Sequence, residues 1–127
     1  MQPTNNNTLV FVYNSDSTLK AAAVDFVTRF VAPTTYPCNL CMVTYGVMFE
    51  KQSWREFLDT LPNKKVFLHR DEFLKQYPEY RDIELPVILT DFGEKLEILV
   101  SAEEINKVQN LEELKKLVIE KLHNEQE

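Results

Sequence analysis

The stretch that decides the fold is Leu85-Pro86-Val87-Ile88-Leu89-Thr90, followed by Asp91-Phe92-Gly93-Glu94 and then Lys95-Leu96-Glu97-Ile98-Leu99-Val100. Its first part is apolar and β-branched, with proline at the entry, where a strand loses least from a missing amide hydrogen. Asp-Phe-Gly-Glu supplies turn chemistry, and the chain returns as a second strand with Leu96, Ile98 and Val100 expected on one face. An antiparallel hairpin is the result. Working toward the C-terminus, Ser101 and Glu104 match a capping box for a short helix. Asn110 caps a longer one, whose apolar stripe is Leu111, Leu114, Leu117, Val118 and Leu122. The polar residues after Leu122, 123–127, are expected to fray, as are residues 1–8.

Toward the N-terminus, Lys65-Val66-Phe67-Leu68-His69 reads as another strand, and Asp71 as the cap of a short helix bearing Phe73, Leu74 and Tyr77 before Pro78. Ser53-Trp54-Arg55-Glu56 matches a capping box that opens a helix closed by Pro62. Leu9-Val10-Phe11-Val12-Tyr13 is a continuous apolar run, the signature of a central strand covered on both faces. After the capping cluster Asn14-Ser15-Asp16-Ser17, the residues Leu19, Ala22, Ala23, Phe26, Val27, Phe30 and Val31 recur at helical spacing, up to Pro33. Asp16 is explained by capping. Residues 34–50 hold no sustained period, apart from a helical turn expected at Cys38.

The chain has 127 residues, 44% of them hydrophobic, which is one domain's worth of core (1–127). Its 20 acidic and 14 basic residues leave a net charge of -6, so the basic footprint of a nucleic-acid binder is absent. With two glycines there is neither a P-loop nor a Gly-x-Gly-x-x-Gly fingerprint. Residues 1–8 lack the pattern of a signal peptide and no apolar run approaches a membrane span, so no membrane partner and a cytoplasmic location are expected.

The order strand, helix, strand, helix, strand, strand, helix describes an α/β sandwich with a mixed four-stranded sheet flanked by helices. Its first two strands are parallel and its last hairpin antiparallel. On that order, and on Leu85-Pro86-Val87-Ile88, the chain resembles the thioredoxin fold over residues 9–31 and 65–122, leaving 33–64 as an insertion. The resemblance implies that Pro86 is a cis-proline entering the third strand and that Leu85 and Pro86 form a substrate-docking edge. The sequence is also similar to a set of small bacterial proteins of unassigned function that share a Tyr-Asn-x-Asp-Ser start and a Cys-Asn-Leu-Cys core. Some of these carry a GTPase label, which the missing P-loop contradicts here.

Tyr36-Pro37-Cys38-Asn39-Leu40-Cys41 carries the candidate chemistry. In a reducing compartment two cysteines at this spacing point to redox or metal chemistry. In the redox reading Cys38, at the start of a helical turn, is the attacking thiolate and Cys41 the resolving thiol, with no cofactor and with a protein or a small thiol as partner. In the metal reading Cys38 and Cys41 bind zinc with His69 and an acidic group, or two chains of a homodimer pool four thiolates. In the third reading both are small buried hydrophobes, and the chain is a non-catalytic binding module on the same scaffold. In the thioredoxin pattern the cysteines lie between the first strand and the first helix. Here Asn14-Ser15-Asp16-Ser17 occupies that place and the cysteines follow the helix, which directs them to the pole opposite Pro86 unless the insertion brings them back. His69 ends the second strand, where the active-site loops of α/β sheets gather, whereas His123 lies in the polar tail. Trp54, Phe57, Tyr45, Met42 and Met48 form an aromatic and methionine group expected to pack in the core.

Overall fold

The structure is a computed structural model, and it describes residues 7–14, 39–44 and 51–126. The amphipathic helix expected over residues 19–31 lies outside the described residues, as do Cys38, Tyr45 and Met48. Four strands, β1 (Thr8–Val12), β2 (Lys65–Leu68), β3 (Val87–Asp91) and β4 (Leu96–Val100), form one sheet in the order β2-β1-β3-β4. β1 runs parallel to β2 and antiparallel to β3, and β3 runs antiparallel to β4. The mixed α/β sheet expected from the order of elements is the sheet observed. β1 lies inside it, and Leu9 through Val12 are all buried, which is why this run is apolar without alternation.

Among the described residues six helical segments flank the sheet: α1 (Asn39–Thr44), α2 (Gln52–Asp59), α3 (Arg70–Gln76), a 3-10 turn (Pro78–Tyr80), α4 (Ala102–Lys107) and α5 (Leu111–Gln126). On one face Leu9, Phe11, Tyr13, Ile88, Leu99 and Val100 pack with residues of α1, α2, α4 and α5. On the other, Val10, Val12, Leu68, Val87, Leu89 and Leu96 pack with Phe73 of α3 and with Tyr77 and Tyr80. Residues 33–64 are therefore no appendage where they are described. Leu40 and Val43 of α1 and Trp54 and Leu58 of α2 belong to the same buried cluster as the central strand. The Trp54 ring meets Phe11 edge-on at 5.9 Å and stacks on Phe57 at 5.6 Å.

Several local expectations are corrected. β4 does not alternate: Ile98 is 53% exposed, while Leu99 and Val100 are both buried in the cluster beneath α5. The register explains this. Ile88 pairs with Val100 but Leu89 pairs with Ile98, so Leu99 is an extra residue in a β-bulge, turned inward with its neighbour. Ser53 is not a cap but lies in the first turn of α2, where its hydroxyl accepts from Lys115 Nζ at 3.0 Å. Glu56 accepts instead from Gln52 Nε2 at 2.9 Å. The cap of α3 is His69 rather than Asp71. α5 continues through His123 to Gln126 instead of stopping at Leu122, and β1 already begins at Thr8.

Other expectations hold. Ser101 caps α4 by accepting from Glu104 N at 3.2 Å, while Glu104 Oε1 accepts from Ser101 N at 3.0 Å. Asn110 Oδ1 accepts from Glu113 N at 3.0 Å at the start of α5. In the hairpin, Asp91 Oδ1 accepts from Gly93 N at 2.8 Å, and Gly93 takes φ +92°, a backbone region that side chains disfavour. Among the described residues no helix is long and apolar enough to cross a membrane.

Candidate functional site

Three chain segments meet at one edge of the sheet. Val12 pairs with Leu68 on one side and with Val87 on the other. One residue further along these registers, His69, Tyr13 and Pro86 stand in a row across three adjacent strands. This is the edge where both parallel strands end, the usual seat of ligand chemistry in α/β sheets. The Leu85–Pro86 peptide bond is cis, as the resemblance implies. Pro86 itself is buried, and Leu85 is half-buried against the second-face cluster.

His69 is the most fully built part of the row. Its backbone N–H donates to Glu72 Oε1 at 2.8 Å, and its ring Nδ1 lies 3.1 Å from the same oxygen. These bonds follow from local sequence. A strand ends at Leu68, His69 adopts the extended geometry of an N-cap, and the carboxylate three residues on reaches back to it. An ionised carboxylate only accepts, so this contact is a hydrogen bond when the ring carries its proton on Nδ1. The bond from the His69 backbone, followed by the bond from its ring, holds the Glu72 carboxyl below its ordinary range. Both side chains are 44% exposed, so the ring is reachable from solvent. Its other face looks toward Tyr13, with ring centroids 6.0 Å apart, and Tyr13 is itself buried and stacked on Phe67.

Of the two cysteines, Cys38 lies outside the described residues. Cys41 lies in α1, where the backbone alone is described. α1 is anchored by Leu40, fully buried, and by Val43, and it packs against α4 and α5. Thr44 ends it with its hydroxyl donating to Leu40 O at 2.7 Å. Among the described residues no group of three or more His, Cys, Asp and Glu side chains is arranged to hold a metal, and the carboxylate beside His69 is Glu72. His123 is exposed near the end of α5, far along the chain from this edge. Trp54 is core, fully buried, as expected of the aromatic group; the Met42 side chain lies outside what is described.

Sequence reading singled out His69 and Pro86 but missed Glu72. The signal lies in the spacing of His69 and Glu72, a carboxylate three residues after the cap, which the stronger capping preference of Asp71 obscures. A separate groove of about 520 Å³ runs between α4 and α5, floored by Val108 and Leu117 and edged by Glu104, Lys107 and Glu120, and contains no residue of the row. No family model, curated protein or solved structure matches the chain.

Proposed function

We propose that this chain is a thiol-disulfide oxidoreductase or redox sensor on a thioredoxin-like scaffold, with Cys38 as attacking thiolate and Cys41 as resolving thiol. The observation that carries this reading is the packing of α1, the helix containing Cys41, against α4. α4 leaves β4 just after Val100, which pairs with Ile88, two residues beyond Pro86. At 1.5 Å per residue a helix of six residues is only about 9 Å long. The segment packed on it lies on the sheet face that also carries Tyr13. The mixed four-stranded sheet, with β1 and β2 parallel and β3 and β4 antiparallel, supports the same reading.

The test is the reactivity of Cys38, followed by pH-dependent alkylation and mass spectrometry. A thiol activated for exchange labels rapidly, with a midpoint well below about 8.5, and mild oxidation joins it to Cys41. Slow or absent labelling of the folded protein, with no intramolecular disulfide on oxidation, would falsify the redox reading. It would favour a binding module instead, and in that case Cys38→Ser/Cys41→Ser leaves the protein's behaviour unchanged.

A further inference from the structure

We propose that the outer edge of β2 is a docking site for an extended acidic peptide segment, which joins the sheet as a further strand beside Lys65, Val66 and Phe67. Neither cysteine takes part, so the site stands whether or not the redox reading does.

The backbone defines the site. β2 ends the order β2-β1-β3-β4, Leu9 N donates to Lys64 O at 2.8 Å, and Tyr13 N donates to Leu68 O at 2.9 Å. In a parallel ladder of that phase Lys64, Val66 and Leu68 address β1, while the N–H and C=O of Lys65 and Phe67 point away from the sheet. None of these outward groups has a partner among the described residues. Pairing stops at Phe67, because the His69 N–H donates to Glu72 and the His69 C=O accepts from Phe73 N at 2.9 Å. The register of β1 with β2 runs through four consecutive pairs without a shift, whereas β4, at the other end of the order, carries the Leu99 bulge. A bulge is a device that guards an edge, and β2 lacks it.

The side chains add an apolar contact and a charge. Phe67 is 40% exposed, yet its ring stacks on buried Phe11 at 4.9 Å and lies 6.4 Å from buried Tyr13, so it is ordered before any partner arrives. Lys65 Nζ donates to Leu61 O at 2.7 Å, which holds its ammonium at the head of the strand, beside exposed Lys64. In a chain of net charge -6 this edge is locally basic. The same lysines disfavour a second copy. Antiparallel self-pairing centred on Lys65 opposes the two Lys65 side chains, and centred on Val66 it sets them diagonally on one face. Centred on Phe67, it sets Lys64 against Arg70 and Lys65 against His69. An acidic strand meets the lysines with opposite charge and supplies backbone partners for Lys65 and Phe67. Lysines that served only to keep copies apart need no exposed, ordered aromatic ring beside them.

The experiment follows the backbone amides of the full chain by NMR while an acetylated, amidated hexapeptide of alternating glutamate and valine is added. Binding should shift the Lys65 and Phe67 amides most, and at saturation should slow their exchange with solvent by about tenfold or more. A lysine-valine hexapeptide, which tests the charge without altering the fold, should bind at least about tenfold more weakly. Lys64→Glu/Lys65→Glu should weaken the glutamate peptide by a similar factor. Shifts that spare Lys65 and Phe67, equal binding of the two peptides, or no binding at millimolar peptide overturns the assignment. Concentration-dependent dimerisation of the chain alone, with those two amides at the interface, overturns it as well, since the edge then belongs to a second copy.

Discussion

Tyr13 and His69 stand side by side at the ends of two parallel strands, ring centroids 6.0 Å apart, and the antiparallel register of β3 sets Pro86 on the other side of Tyr13. Tyr13 is buried while His69 is half-exposed, so the row grades from core to solvent within one strand spacing. Tyr13→Phe retains this packing, and Tyr13→Ala removes the wall behind the imidazole. The expected outcome is that Tyr13→Ala lowers stability by about 3–5 kcal/mol, as other buried aromatic truncations do, and broadens the His69 ring resonances, whereas Tyr13→Phe leaves those resonances sharp. Urea unfolding and NMR of the imidazole protons measure the two effects.

Trp54 offers a second test, because its indole N–H is buried and has no hydrogen-bond partner among the described residues. Trp54→Ala opens a cavity against Phe11 and Phe57 and should cost about 3–5 kcal/mol in urea unfolding. Trp54→Phe should cost clearly less. It gives up part of the apolar contact but also removes a buried donor that finds no partner among the described residues.

The bulge in β4 makes a prediction opposite to simple alternation. Leu99→Ala should destabilise by about 2–5 kcal/mol, since its side chain is buried beneath α5. Ile98→Thr, at a 53% exposed position, should lie within about 0.5 kcal/mol of wild type. Strict alternation reverses that order, so denaturant midpoints of the two variants decide the register.

Gly93 is required by the backbone alone. At φ +92° an added Cβ meets no atom within 4 Å, so Gly93→Ala suffers no clash and pays only for the conformation. The expected loss is about 1–2 kcal/mol, and Gly93→Asn should lose less, because a short polar side chain tolerates this region better. Thermal melts of the two variants measure it.

Acid sensitivity should reside in part in two helix caps. The Glu104 carboxyl is held below its ordinary range, first by its hydrogen bond from Lys121 and then by the Ser101 backbone N–H. The His69 bonds do the same for Glu72. A carboxyl whose folded pKa is depressed binds its proton more readily in the unfolded chain. Its stabilisation is therefore complete above the unfolded value and is lost as pH falls through the folded one. Glu104→Gln and Glu72→Gln should each be less stable than wild type near neutrality and should flatten the fall in stability between about pH 7 and pH 3. Parallel urea titrations across that range would refute the assignment if the wild-type and variant curves kept the same slope.

What the sequence by itself determined is the set of elements with strong local physics. The continuous run at Leu9–Val12, the hairpin around Asp91-Phe92-Gly93-Glu94, the Ser101/Glu104 box and the stripe of α5 each follow from periodicity, turn chemistry or capping within a few residues. The pairing senses followed too, β1 with β2 parallel and the hairpin antiparallel, because parallel strands need a crossover and a hairpin does not. Local reading failed where two neighbours compete for one role. Asp71 and His69 both stand at the start of α3, and the choice fell to the residue from which Glu72 could accept while the strand ended at Leu68. It failed again at Leu99, because a bulge depends on what lies on both sides of a strand. Leu99 turns inward with Val100 because α5 offers apolar surface there. The candidate site belongs to the same class. His69, Tyr13 and Pro86 are far apart in the chain, and only the pairing of Val12 with both Leu68 and Val87 brings them into one row. The burial of Leu40 and Val43 likewise carried α1 against α4, a non-local contact for which no spacing within residues 34–50 is a signal. Hydrogen bonds between near neighbours can be read from short spans of sequence, whereas long-range burial is decided when the whole core closes.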